Sequence, residues 1–146
     1  MTLSAPTPIL PTHEAEGFCS GVSSLDTWLK QRALRNQISG ASRTFVVCEE
    51  NRIKAYYTLA SGAVLVTEAT GRFKRNMPDP IPVVILGRLA IDQSYQRKGL
   101  GRLLVRDAGL RVIQAADTLG IRGMVVHALS QSAKDFYLEL GFDSSP

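Results

Sequence analysis

The chain has 146 residues, 45% of them apolar and 21% charged, which suits one globular domain with a sizeable core and excludes a disordered segment. Its net charge of +4 favours an anionic partner without naming one. No apolar run reaches the roughly 18 residues of a membrane span, no basic and then apolar leader opens the sequence, and Cys19 and Cys48 make neither a disulfide framework nor a metal motif. We therefore expect residues 1–146 to form a single cytoplasmic domain, with no membrane partner and no metal.

Residues 1–14 read as an extended, proline-punctuated lead-in. Ser23 is placed to cap a first helix, with Asp26 as a capping-box acid three residues on. Leu25, Trp28, Leu29 and Ala33 share a face of that helix, Lys30, Arg32 and Arg35 lie off it, and Ser39-Gly40 ends it. Two strand-like runs follow, 44–49 and 53–66, joined by a turn at Glu50-Asn51-Arg52; the second is interrupted at Ser61-Gly62. Cys48 reads as a small buried hydrophobe. Residues 70–82, with their prolines and Arg72, Lys74 and Arg75, read as a loop.

Residues 83–91 (VVILGRLAI) are too continuously apolar to have a wet face, which predicts a central strand. The helical spacing of Leu104, Ala108, Val112, Ala115, Ala116 and Leu119 predicts a helix ending at Gly120. Residues 124–129 (MVVHAL) predict a second buried strand, with His127 a satisfied core histidine. Ser132 is expected to cap a last helix over 133–140, closed by Gly141. The class is α/β (α+β): a mixed sheet, antiparallel in its N-terminal half, with a βαβ unit in the second half.

Between the central strand and its helix stands Gln96-Arg97-Lys98-Gly99-Leu100-Gly101-Arg102. A helix starting here leaves backbone N–H groups unpartnered. Gly99 and Gly101 lack a Cβ, so a ligand can approach the backbone. The peptide dipoles and three cations favour an anion. A lone Gly-x-Gly is more often a surface turn; a buried strand before it and a helix after it turn the reading to a pyrophosphate cradle. No Walker Lys-Ser/Thr and no GxGxxG is present.

This motif resembles the Gln/Arg-x-x-Gly-x-Gly/Ala signature of GNAT-fold N-acetyltransferases, and the segment Ala133-x-x-Phe136-Tyr137-x-x-x-Gly141-Phe142 resembles that family's last helix. The resemblance implies that acetyl-CoA is the cosubstrate. Its pyrophosphate would lie on the amides of Arg97 to Arg102, and its pantetheine arm would pair with the backbone of Leu89, Ala90 and Ile91. Gln96, Ser132, Ala133 and Phe136 would complete the site, with Ser132 standing where Asn is usual. It makes Tyr137 the general acid for the leaving thiolate, a role a phenol of pKa about 10 can fill. Arg88 and Asp92 flank the strand, no general base stands out, and direct attack by a neutral amine is expected. GNAT folds carry a strand or two beyond Gly141-Phe142, so with Pro146 as the last residue a C-terminal strand is expected to be missing.

The N-terminal half resembles the toxins of bacterial GNAT/ribbon-helix-helix toxin–antitoxin pairs, through Phe18, Gly21, Leu25-Asp26, Trp28-Leu29 and Gly40-Ala41-Ser42-Arg43-Thr44-Phe45-Val46. That likeness implies acetylation of the α-amine of aminoacyl-tRNA, a block of translation, a cognate antitoxin and a homodimer. Lys30, Arg32, Arg35, Arg72, Lys74, Arg75 and Arg88 are the cations placed to meet tRNA phosphates. A GNAT enzyme acting on a small amine or a protein N-terminus, and a non-catalytic acyl-CoA-binding module, are the alternatives.

Overall fold

The computed structural model describes residues 2–65 and 80–143. Arg72, Lys74 and Arg75, most of the expected 70–82 loop and Val66 lie outside the described residues. Five strands form one sheet in the order β1-β2-β3-β4-β5. They are β1 (Thr7–Pro8), β2 (Arg43–Glu49), β3 (Arg52–Val64), β4 (Ile81–Ile91) and β5 (Met124–Val126). The first three pairings are antiparallel and β4 pairs with β5 in parallel. β1 is a short edge piece contributed by the N-terminal lead-in, which Ser4 also ties down by donating its N–H to the Cys48 carbonyl at 2.8 Å.

Helices cover both faces, which is why β2 is buried along nearly its whole length. On one face α1 (Ser23–Trp28), a π-helical turn (Leu29–Ala33) and α2 (Leu34–Ser39) run on without a break. Leu29 and Ala33 pack there against Val46, Cys48, Tyr56 and Ala90. On the other face, α3 (Leu100–Leu119) and α4 (Gln131–Glu139) cover Phe45, Val47, Ala55, Tyr57 and Leu86, with Leu104, Val105 and Ala108 as the buried side of α3. Tyr57 donates its hydroxyl to Asp107, which also takes the Arg111 Nε–H at 2.9 Å, pinning α3 to the sheet.

Several expectations change. Ser23 does not cap α1; the cap position is Val22, with no side-chain bond. Asp26 instead reaches back to accept the Ser20 Oγ–H at 2.6 Å and the Ser20 N–H at 3.0 Å. β3 runs straight through Ser61-Gly62, because Gly62 leaves room for a neighbour: a Cβ there would stand 2.5 Å from Ile85 Cδ1. The β2–β3 turn is tighter than expected, with only Glu50 and Asn51 at positive φ, the twist a two-residue hairpin demands. β4 begins at Ile81, so Pro82 pairs within the sheet, opposite Ala63, near the start of the strand where proline is tolerated.

The last third departs further. β5 ends at Val126, so His127 lies past the strand and is exposed, not a core histidine. The strand's own residues are half-buried, since the described sheet has no neighbour beyond β5. Leu119, expected on the buried face of this helix, is 67% exposed. Ser130, not Ser132, caps α4, its Oγ accepting the Ala133 N–H at 3.1 Å. With the helix starting at Gln131, Ser132 already falls inside the first turn.

Candidate active site

The site begins with a bulge. In the β3–β4 ladder Thr58 faces Arg88 and Leu59 faces Leu86, which leaves Gly87 as the extra residue. Parallel pairing to β5 covers only Val84, Ile85 and Leu86. Beyond the bulge β4 continues to Ile91 with β3 on one side and no described strand on the other. The outer edge of Leu89–Ile91 therefore faces no described strand and has backbone groups open to an extended ligand, as strand addition requires, except the Ile91 carbonyl, which accepts the Gln96 Nε2–H at 2.8 Å. Leu89 and Ile91 are half-buried on the cleft side, while the Ala90 side chain packs into the α1 face.

After β4 the chain makes a 3-10 turn (Gln93–Tyr95) and reaches α3 through two residues in the left-handed region, Arg97 at φ 63° and Gly99 at φ 82°. The first amides of α3 thus open onto a cleft of about 480 Å³ lined by Leu89, Ile91, Gln96, Arg97, Gly99, Leu100, Gly101, Arg102 and Phe136. At Gly99 an added Cβ would meet nothing within 4 Å, so the approach to the backbone is open. Arg97, Lys98 and Arg102 are exposed at the rim, with the Lys98 ammonium 5.4 Å above the Tyr95 ring. An anion in this cleft meets free N–H groups, a helix dipole and cations together. An elongated ligand with a pyrophosphate at the loop and an amide-bearing arm along β4 fits the donors present.

The structure brings most of the sequence-predicted cofactor residues to this cleft, with differences. Gln96 lines the cleft, but its side-chain donor is already engaged: its Nε2 donates to the carbonyls of Ser20 at 2.7 Å and Ile91 at 2.8 Å. Ser132 and Ala133 lie in the first turn of α4 outside the cleft lining, where the Ser132 Oγ is 3.1 Å from that of Ser130. Of the aromatic pair, Phe136 lines the cleft and Tyr137 faces the core cluster, its ring edge-on to Phe136 and Phe142. Burial raises the Tyr137 pKa, so its hydroxyl stays protonated.

Asp92 is spoken for. Its Oδ1 accepts the Cys19 N–H at 2.9 Å, and its Oδ2 accepts the N–H and Oγ–H of Ser94 at 3.1 and 2.5 Å. Burial pushes its pKa up, but the bonds from Ser94 and Cys19 and the charge of Lys54 outweigh that and hold it below the ordinary range. It is an anchor for the loop rather than a base. Cys19 and Ser20 were not legible as neighbours of the site, and Asp92 was legible only as flanking the strand, although Asp-x-Ser at 92–94 is a turn signature that marks such an anchor. The Cys48 thiol, pushed up to about 11 by burial, is no nucleophile. Among the described residues no three His, Cys, Asp or Glu side chains converge as metal ligands, and no helix is long and apolar enough to cross a membrane.

On the α1 side, Lys30, Arg32 and Arg35 are exposed. Arg88 is half-buried, its guanidinium 4.2 Å from the Trp28 ring centroid, and Trp28 in turn stacks on Tyr56.

Residues 41–144 match the family model described as an acetyltransferase (GNAT) domain. The chain belongs to the GNAT acetyltransferase family. Members of this family use acetyl-CoA, whose pyrophosphate and pantetheine arm are the kind of ligand the cleft accommodates. The chain is 48% identical, over 98% of its length and 86% of the relative's, to a protein of Mycobacterium tuberculosis (strain ATCC 25618 / H37Rv) named tRNA-acetylating toxin. Among solved GNAT structures, AtaT complexed with acetyl-methionyl-tRNAfMet superposes with a TM-score of 0.93 at 29% identity, covering 99% of this chain and 89% of that one. A tyrosine-to-phenylalanine mutant of the AtaT toxin, bound to the C-terminus of the antitoxin AtaR and to acetyl-CoA, gives a TM-score of 0.83 at 29% identity, covering 97% and 85%.

Proposed function

We propose that this GNAT enzyme transfers the acetyl group of acetyl-CoA to the α-amine of an aminoacyl-tRNA, and that it acts in the cytoplasm as the toxin of a toxin–antitoxin pair. The observation that carries the reading is the near full-length likeness to a tRNA-acetylating toxin, joined to a cleft in which β4 and β5 part at Gly87. The antitoxin-bound AtaT neighbour supports a cognate antitoxin, with a ribbon-helix-helix protein as its expected type. A homodimer is part of the reading by family resemblance.

Acetyl-CoA supplies the activated acetyl group as a thioester. The amides from Arg97 to Arg102 hold its pyrophosphate, and the open edge of Leu89, Ala90 and Ile91 aligns its arm. The neutral amine would form the new C–N bond as the C–S bond breaks; Tyr137 would give its proton to the departing sulfur, and the proton shed by the amine nitrogen would restore Tyr137 to its neutral form. With Asp92 engaged in three hydrogen bonds, the amine's own neutral fraction suffices, since an α-amine has a pKa near about 8. Lys30, Arg32 and Arg35 on the exposed side of the first helical run, with Arg72, Lys74, Arg75 and Arg88, provide the cations for tRNA phosphates.

The test is incubation with labelled acetyl-CoA and a full set of charged tRNAs. Acetyl-aminoacyl-tRNA is the expected product. Label appearing only on small amines or protein N-termini would favour the wider GNAT alternative, and cofactor binding without transfer to any acceptor would favour a non-catalytic module.

A further inference from the structure

The cofactor loop is laced to the start of the first helix by bonds that cofactor binding alone does not require. Gln96 Nε2 donates to the Ser20 carbonyl at 2.7 Å as well as to that of Ile91. Gln93 N–H donates to the Cys19 carbonyl at 2.8 Å, and Cys19 N–H returns a bond to Asp92 Oδ1 at 2.9 Å. Ser20 Oγ–H then donates to Asp26 Oδ1 at 2.6 Å, inside α1. The hydrogen bonds thus run without a gap from residue 96 to α1, the start of the helical run whose later turns carry Lys30, Arg32 and Arg35. At the loop end the next residue, Arg97, sits at φ 63°, a left-handed conformation that is strained for a non-glycine residue and persists only where its surroundings hold it.

We propose that Gln96 is a positioning residue that couples the two substrate sites. By clamping two carbonyls it holds Arg97 in its left-handed conformation, which aims the loop amides into the cleft. Through Ser20 and Asp26 it joins that conformation to the start of α1. The strained residue gives the loop two states, with Arg97 left-handed and latched or relaxed and unlatched. A ligand that binds only the latched state shifts that balance, and the segment 20–28 shares the shift. Linkage then makes the effect reciprocal: an acceptor engaging the first helix strengthens cofactor binding by the same factor. The inference rests on coenzyme A occupying this loop, but not on the identity of the acceptor.

Amide hydrogen exchange with and without saturating coenzyme A tests it. In the wild-type chain, exchange should slow in both 97–102 and 20–28, by about fivefold or more in the second segment. Gln96→Met, which keeps volume but removes both donors, should weaken coenzyme A binding and abolish protection of 20–28 while residual protection of 97–102 persists at saturation. Asp26→Ala cuts the chain of bonds at its far end without touching the cleft. It should leave coenzyme A affinity within about twofold, an allowance well below typical coupling factors, yet remove the response of 20–28. Protection confined to 97–102 in the wild type, or a response of 20–28 that survives in either variant, would overturn the coupling alone. No protection of 97–102 would remove both the cofactor site reading and the coupling.

Discussion

The ring of Phe136 stands 3.3 Å from the point a β-carbon on Gly101 would occupy, with Ile91 Cδ1 at 3.4 Å. The last helix, the first turn of α3 and the end of β4 therefore meet at one glycine. Gly101→Ala adds a methyl there, narrowing the cleft, yet replaces glycine inside a helix, a change worth about 0.5–1 kcal/mol in favour of alanine. We expect weaker coenzyme A binding with stability unchanged or slightly raised. Gly99→Ala should act in the opposite sense. It meets no neighbour, but its φ of 82° costs an L-residue about 1–2 kcal/mol. Thermal unfolding and titration calorimetry on the pair should show the two effects separately.

Tyr137→Phe keeps the edge-on ring packing against Phe136 and Phe142 and removes only the hydroxyl. If Tyr137 is the acid, acetyl transfer falls by about 100-fold or more while coenzyme A binding is retained. Because burial raises its pKa, Tyr137 stays protonated beyond the ordinary tyrosine value of about 10. The pH profile of kcat/KM should rise as the acceptor amine loses its proton, near about pH 8, and stay level to about pH 10. A fall well below pH 10 would assign the acid to another group.

Charge removal on the first helical run tests its engagement with the acceptor. Replacing Lys30, Arg32 and Arg35 by Gln should weaken tRNA binding and reduce the slope of log affinity against log salt by roughly 1 for each phosphate no longer neutralised. The same variant should keep its affinity for coenzyme A, whose cleft lies on the other side of β4. An unchanged salt slope would mean these side chains form only a solvated face.

Asp92→Asn removes an acceptor shared by Cys19 and Ser94. We expect a loss of about 1 kcal/mol at neutral pH, the cost of leaving part-buried donors poorly paired. Asp92 is held below the ordinary carboxylate value, so its contribution is complete above about pH 3.9 and is lost as pH falls through its lowered folded pKa. The stability gap between wild type and variant should therefore close in acid, as denaturant titrations at several pH values would show.

The sequence alone determined what depends on local pattern. The continuous apolar run of β4, the Gly99-x-Gly101 entry to α3, the glycine stop at Gly120 and the Phe136-Tyr137 helix follow from periodicity, dihedral freedom and spacing, which neighbours along the chain dictate. The GNAT resemblance rested on the loop motif and the last helix, and the toxin likeness on residues between Phe18 and Val46. Tertiary structure decided everything that needed two distant segments. Gln96 lies 76 residues from Ser20, and Cys19 lies 73 from Asp92; no periodicity encodes those bonds, so it was visible only in the fold that a residue of the loop motif also ties the loop to the segment before the first helix. The same holds for the parting of the sheet. Pairing alone shows that β5 leaves β4 where Gly87 bulges, since a bulge exists only relative to the partner strand it disturbs.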